Sequence, residues 1–166
     1  MRLSRVVILL LLAVVVATVY LPEVEKARER GKPWMEPVVT LQEVKALEWV
    51  RAHTPERTVF VSDIFGGEQL MGGALREGTE GGDWAIIANV IERMQHSDEV
   101  FDTQNASRAW QLARQYNASY VWAPNRQVFA GFSWKGIERT KFYDEQYFEL
   151  AYADGDMHIY RVKEKR

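Results

Sequence analysis

The sequence predicts a layered, Rossmann-like α/β domain with a mixed sheet, preceded by one transmembrane helix. Three observations predict it: an uncharged apolar run over residues 6–21, helix and strand patterns that follow one another in the middle of the chain, and the dipeptide Asp154-Gly155. A helix leading directly into a strand is typical of layered α/β sheets, and Asp-Gly is a strong signal for a tight antiparallel hairpin. The parallel strands are therefore expected to be extended by a C-terminal hairpin.

The apolar run places the N-terminus in a membrane at some stage. At about 1.5 Å per residue it reaches roughly 24 Å, against a hydrocarbon core of about 30 Å. The run therefore either spans the membrane, with flanking side chains that extend to the headgroup region, or forms a long signal-peptide core. Arg2 and Arg5 precede it, and residues 15–17 fit a cleavage site only loosely. We expect residues 1–22 to be a retained anchor or signal anchor, with the N-terminus inside and the soluble domain outside the cytoplasm.

Residues 23–40 are charged and are interrupted by Gly31, Pro33 and Pro37. They are expected to form a juxtamembrane helical turn that runs into an extended linker. Basic residues here outnumber the two arginines before the span, but glutamates are interleaved with them, so the expected orientation is retained. Residues 41–166 then form the soluble α/β domain.

The first half of this domain has clear element signals. Thr40 and Glu43 have the spacing of a capping box, which predicts a helix from Leu41 to about His53. Residues 57–62 are rich in β-branched and aromatic side chains without alternation, which predicts a central strand covered on both faces.

The second half continues the α/β order. Apolar periodicity predicts helices over residues 84–95 and 106–116, and residues 119–123 form the next strand. Pairing around Asp154-Gly155 would place five apolar side chains on one face of the hairpin. These are Phe148, Leu150, Tyr152, Met157 and Ile159.

The stretch VFVSDIFGGEQLMGG, residues 59–73, is the candidate ligand site. A strand that stops at Asp63 and passes into paired glycines predicts a flexible loop beyond the carboxyl end of the strand, where α/β sheets bind ligands. Arg76 is available to clamp a phosphate or carboxylate or to pair with an acid, and Trp84 either anchors a helix start or stacks on a sugar. The ligand-binding candidates are Asp63, Gly66, Gly67, Glu68, Arg76, Asp83 and Trp84.

Several functional classes have no support in the sequence. There is no cysteine, and a net charge of −2 with interspersed Lys, Arg, Asp and Glu argues against nucleic-acid binding. The glycines lack nucleotide-binding spacings, the acids lack the EF-hand pattern, and no serine sits in a nucleophile elbow. We therefore predict no cofactor, no metal and no catalytic residue.

Two further features leave alternatives open. Asn105 and Asn117 begin glycosylation acceptor patterns, but Asn105 also suits a helix start and Asn117 a left-handed helix end. The segment 125–141 places Phe129, Phe132 and Trp134 near Arg126, and it either folds onto the domain or faces a partner or lipid.

The phrases ALEWVRAHTPERTVFVSD, ARQYNASYVWAP and KFYDEQYFELAYADGDMHIYRV resemble the soluble C-terminal domain of GT-C class membrane glycosyltransferases, such as the oligosaccharyltransferase catalytic subunit. The likeness covers about residues 41–162. In that family acidic loops of a many-helix membrane part carry out the transfer, and a Trp-Trp-Asp-Tyr-Gly motif reads the acceptor peptide. This chain has one span and carries Asp63-Ile64-Phe65-Gly66-Gly67 at the corresponding place, so neither property carries over.

The resemblance implies a membrane-anchored, non-catalytic accessory or binding domain in glycosylation or cell-surface assembly. Its expected partner is the membrane together with a multi-span glycosyltransferase or a glycan. Two alternatives remain at this stage. One is a small anchored hydrolase using Asp63, Glu68 or Asp83, which requires converging carboxylates and a raised pKa in one of them. The other is a fragment that works only beside a multi-span partner.

Overall fold

A computed structural model describes residues 5–35, 39–82 and 88–164. The chain divides into two compact units, Met1–Pro37 and Val38–Arg166, and each is described by itself.

The first unit is helical throughout its described part. Helix α1 covers Arg5–Val15, a π-helical stretch covers Val16–Tyr20, and helix α2 covers Leu21–Met35. Together these elements form a continuous helical segment, and its part Val7–Met35 is able, by length and composition, to cross a membrane. The predicted extended linker is wrong as far as Met35, because the helix continues through Gly31 and Pro33. Good helix formers dominate this segment, and Lys26 pairs with Glu23 one turn earlier at 2.7 Å.

The second unit is built on a five-stranded mixed sheet, which confirms the predicted fold class. The strand order is β2-β1-β3-β7-β6, with β1 parallel to both of its neighbours and β7 antiparallel to both of its own. The strands are β1 (Val59–Val61), β2 (Glu77–Gly78), β3 (Tyr120–Ala123), β6 (Phe148–Asp154) and β7 (Met157–Val162).

Helices cover both faces of this sheet. They are α3 (Leu41–His53), α4 (Ile64–Ala74), α5 (Val90–Asp102) and α6 (Ala106–Gln115). Side chains of α3 and α4 form one core cluster with Phe60 and Trp122, while those of α5 and α6 form a second with Val61 and Val121. Because successive strand residues point to opposite faces, neighbours such as Phe60 and Val61 belong to different clusters.

The helix expected over residues 84–95 lies further along the chain. Helix α5 starts at Val90, after Asn89 with a positive φ of 56°, and ends at Asp102; residues 83–87 lie outside the described part. It continues past Gln95 because Val100 and Phe101 are fully buried in the core. Helix α6 and strand β3 agree with prediction.

The C-terminal hairpin forms around Gly155 as predicted, but its apolar side chains do not share one face. A β-bulge between Leu150 and Tyr152 shifts the register, so Phe148 packs with α5 and α6 whereas Met157 and Ile159 pack with α3 and α4. Leu150 is left 52% exposed. One extra residue in a strand moves every side chain before it to the opposite face.

The segment 125–141 folds onto the domain. It forms a small antiparallel pair, β4 (Val128–Ala130) and β5 (Ser133–Lys135), and leads into a 3-10 helix, Thr140–Tyr143. Val128 and Ala130 are fully buried in the core, whereas Phe132 at the turn is 54% exposed. Of the two sequence interpretations, folding onto the domain therefore holds for most of the segment.

Candidate functional site

The glycine-rich stretch is a helix, so the prediction of a flexible loop is wrong. Asp63 caps helix α4 by accepting a hydrogen bond from the Gly66 backbone N–H at 2.9 Å. Gly66 and Gly67 lie buried in the first turn of the helix, and Gly72 and Gly73 lie in its last turns. An acid directly before helical residues is itself a strong helix-start signal, which here outweighs the low helix propensity of glycine.

Backbone packing explains the first pair of glycines. A β-carbon on Gly67 would lie 1.7 Å from the carbonyl oxygen of Glu80, and one on Gly66 would lie 2.8 Å from the Trp122 ring. A β-carbon on Gly78 would lie 2.4 Å from the same Glu80 oxygen. The first turn of α4 therefore touches the chain that follows β2 with no room for a side chain.

We expect Gly67→Ala to lower the free energy of unfolding by about 3 kcal/mol or more, since the added methyl meets backbone that cannot move aside. The control is Gly72→Ala in the same helix, where a β-carbon meets nothing within 4 Å. That change should raise stability by about 0.5–1 kcal/mol. Thermal unfolding followed by tryptophan fluorescence measures both, and equal melting temperatures would contradict this account.

Asp63 is fully buried and engaged on both carboxylate oxygens. Besides Gly66, it accepts hydrogen bonds from Arg126 Nη1 at 2.7 Å, from Arg126 Nη2 at 3.2 Å and from the Phe129 backbone N–H at 3.0 Å. Arg126 Nε also donates to Glu43 Oε1 at 3.2 Å, and Glu43 is itself fully buried. Asp63, Glu43 and Arg126 form the arginine cluster, which ties the start of α4 to α3 and to the chain after β3.

The charges in the arginine cluster are matched to one another. Burial on its own would lower the pKa of Arg126, but the charges and hydrogen bonds of Asp63 and Glu43 raise it above its ordinary value. Sequence reasoning assigned Arg126 no role and identified Glu43 only as part of the capping box. Their positions in the sequence could have indicated this contact, since Asp63 and Arg126 follow the carboxyl ends of two neighbouring parallel strands.

Glu80 is a second buried acid near Asp63. It is 3% exposed, and Ser97 is a hydrogen-bonding neighbour of its carboxyl group. Burial first, and then the negative charge of Asp63, raises the pKa of Glu80 to about 9. Glu80 is therefore protonated at neutral pH.

Glu68 and Arg76, two of the remaining predicted ligand-binding residues, bind different parts of the chain. Glu68 is exposed on α4 and accepts a hydrogen bond from the Gly82 N–H at 2.8 Å. Arg76 is buried and donates to the Thr54 hydroxyl at 2.8 Å and to carbonyl groups at the end of α3. These hydrogen bonds satisfy carbonyl groups at the C-terminal end of α3, where a helix leaves its last backbone acceptors without intrahelical partners. Asp83 and Trp84 lie outside the described residues.

An aromatic surface lies beside the arginine cluster, beyond the carboxyl ends of β1 and β3. Phe65 on α4 stacks on Trp134 with ring centroids 5.6 Å apart, and Phe129 lies 5.2 Å from the same tryptophan. The Arg126 guanidinium lies 5.9 Å from the centre of the Phe65 ring. With the exposed Phe132 at the β4–β5 turn, these side chains form the aromatic ridge: Phe65, Phe129, Phe132 and Trp134.

The two glycosylation patterns lie on the surface. Their asparagines have the local structures that the sequence predicted, a helix cap at Asn105 and a left-handed residue at Asn117. Asn105 caps α6 by accepting a hydrogen bond from the Arg108 N–H at 3.0 Å, and Asn117 has a positive φ of 55° after the helix. Both side chains are exposed, and their modification stays a prediction. Within residues 5–35, 39–82 and 88–164, no three His, Asp or Glu side chains are grouped as metal ligands.

Comparison with known proteins gives a similar fold among solved structures. No protein-family model matches this chain, and no curated protein matches it. Among solved structures, the C-terminal globular domain of an oligosaccharyltransferase from Archaeoglobus fulgidus is similar, with a TM-score of 0.58 and 13% identity over 75% of this chain and 99% of that one. At this identity the similarity shows the fold alone. The second unit thus has the fold of an oligosaccharyltransferase C-terminal globular domain, as the sequence resemblance predicted.

Proposed function

We propose that this protein is a membrane-anchored accessory or binding domain, not catalytic by itself, that acts in glycosylation or cell-surface assembly. The shared fold with an oligosaccharyltransferase domain and the helix able to cross a membrane support this function. We further propose that the soluble domain lies outside the cytoplasm, anchored by residues 1–22.

The engagement of Asp63 is the observation that favours binding over catalysis. Asp63 is the acid that sequence reasoning placed at the ligand-binding edge, yet four hydrogen bonds occupy its two oxygens. A general base or nucleophile needs a carboxylate oxygen within reach of substrate. Asp63 is instead fully buried and holds the edge of the domain together.

The aromatic ridge is the surface that we propose contacts a multi-span membrane glycosyltransferase. Three of its rings, those of Phe65, Phe129 and Trp134, pack against one another, so they offer apolar contact area at low entropic cost. Phe132 is the most accessible of them, at 54% exposure, and large exposed aromatic side chains are typical anchors of protein interfaces.

Co-purification from native membranes tests this function. The full-length protein is solubilised in detergent and captured, and its partners are identified by mass spectrometry, in parallel with Phe132→Asn and the control Leu150→Asn. Asparagine suits the left-handed backbone at Phe132, where φ is 69°. Leu150 is similarly exposed but lies on the hairpin.

We expect wild type and Leu150→Asn to recover a multi-span glycosyltransferase, and Phe132→Asn to recover at least about tenfold less, as the loss of one interface hot spot predicts. Equal recovery with all three proteins would remove the ridge from the interface. Recovery of no multi-span glycosyltransferase with wild type would contradict the proposed function itself.

The hydrolase alternative has one supporting observation. The pKa of Glu80 is raised to about 9, so its carboxyl is neutral at neutral pH, and a neutral carboxyl is able to act as a general acid. The hydrolase is the weaker proposal because the carboxyl groups of Glu80 and Asp63 are both buried. In addition, Asp63 and Glu43 already bind Arg126.

A further inference from the structure

A cavity of about 530 Å³ lies at the opposite end of the sheet from the aromatic ridge. Its walls come from the first turns of α6, the chain before β6 and the chain after β7. Because β7 is antiparallel to β3, Lys163 after β7 lies at the amino end of β3, whereas the ridge follows its carboxyl end. The volume falls within the range of about 300–1,000 Å³ that is usual for small-molecule sites.

Two aromatic side chains that line this cavity, Trp110 and Tyr147, are defined as its floor, and the backbone holds the Trp110 ring in place. The Trp110 indole N–H donates to the Lys163 carbonyl at 2.7 Å, and the Lys163 N–H donates to the Tyr147 carbonyl at 2.9 Å. The two rings lie 5.8 Å apart at 45°, and both pack against the core cluster of α5 and α6. The floor is therefore organised before any ligand arrives, which reduces the entropic cost of binding.

The rim of the cavity carries neutral hydrogen-bonding groups. Ser107 and Gln111 lie one turn apart on α6, with Gln111 Nε2 3.5 Å from Ser107 Oγ, and Gln146 also lines the cavity. The ammonium group of Lys163 donates to the Glu145 carbonyl at 2.5 Å, and the acidic residues Glu145 and Glu164 also line the cavity. An anionic ligand would meet two acids and one lysine, so net charge disfavours it.

We propose that this cavity binds a neutral carbohydrate. A pyranose ring has an apolar C–H face that suits an aromatic floor and a ring of hydroxyl groups that suits amide and hydroxyl partners at the rim. Trp110 and Tyr147 supply the floor, and Gln111 and Gln146 supply the principal hydrogen bonds. The site is separate from the aromatic ridge and does not depend on the proposed partnership with a glycosyltransferase.

Saturation-transfer NMR on the full-length protein tests this site. The protein is held in a detergent without a sugar headgroup, because an alkyl maltoside would compete, and maltotriose, mannotriose and chitotriose are the probes. The test variant is Gln111→Ala with Gln146→Ala, since both side chains are exposed and their removal leaves the core intact. Gln115→Ala is the matched control, because Gln115 is exposed on the same helix and outside the cavity.

We expect at least one trisaccharide to bind wild type and Gln115→Ala alike, and the double variant to bind about tenfold more weakly, as the loss of two hydrogen bonds predicts. Phe132→Asn should bind the sugar as wild type does. The proposal is wrong if none of the three probes binds at millimolar concentration, or if the double variant binds equally well. Loss of binding in Phe132→Asn would place the sugar on the aromatic ridge and would also overturn it.

Discussion

Arg126→Ala is expected to lower the free energy of unfolding by about 3–5 kcal/mol, the usual cost of breaking a buried ion pair by removing one partner. The change leaves the carboxylates of Asp63 and Glu43 fully buried without their cation. It also frees the chain after β3 from the start of α4. Urea unfolding at pH 7, followed by tryptophan fluorescence, measures the loss.

Arg161→Ala is the matched control for Arg126→Ala. Arg161 pairs with Glu149 at 3.5 Å, and both side chains are about half exposed. Exposed pairs of this kind contribute about 0–1 kcal/mol, so the control should unfold almost as wild type does. Similar losses in the two variants would show that the arginine cluster is not a principal support of the domain.

Glu80→Gln is expected to stabilise the protein at alkaline pH and to flatten the dependence of its stability on pH. The pKa of Glu80 is about 9 in the folded protein and 4.5 without burial, so the folded state holds a proton that the unfolded state has released between these values. Stability therefore falls as pH rises from about 4.5 to about 9, by an amount on the order of a few kcal/mol. Glutamine keeps the shape of the neutral carboxyl but has no proton to lose.

The measurement compares thermal unfolding of wild type and Glu80→Gln at pH 5, 7 and 8.5. The two proteins should differ least at pH 5, and the variant should melt at the higher temperature at pH 8.5. Glu77→Gln is the control, because Glu77 lies three residues earlier, on strand β2, and its side chain is exposed. Parallel curves for wild type and Glu80→Gln across this range would show that Glu80 ionises in the folded protein as it does in the unfolded chain.

The sequence predicted local structure well where one periodic pattern or one cap acted alone. Helix α3 begins at the capping box of Thr40 and Glu43, and helix α6 begins at Asn105. The prediction failed at residues 64–74, where four glycines were interpreted as a loop. Of these, Gly67 satisfies a packing requirement between α4 and the chain after β2, and such a contact leaves no local signal.

The sequence predicts a ligand site at the sheet edge after β1, and this site stays a prediction; the contacts of its residues could not be read from the sequence. Asp63 was expected to face a ligand, and its actual partner, Arg126, lies far away in sequence. Arg76 was expected in the same site, yet it caps the end of α3. Charged side chains take the nearest partner in space, which only the packing of the helices on the sheet defines.

The sequence by itself determined the apolar N-terminal helix, the α/β class, the Asp154-Gly155 hairpin and the resemblance to a glycosyltransferase C-terminal domain, because each follows from neighbouring residues or a continuous pattern. Tertiary structure alone decided that Asp63 is locked by Arg126, that Glu80 is buried and neutral, and that Trp110 and Tyr147 form the floor of a cavity. These properties depend on burial and on contacts between residues far apart in sequence, and both arise only when the helices close over the sheet.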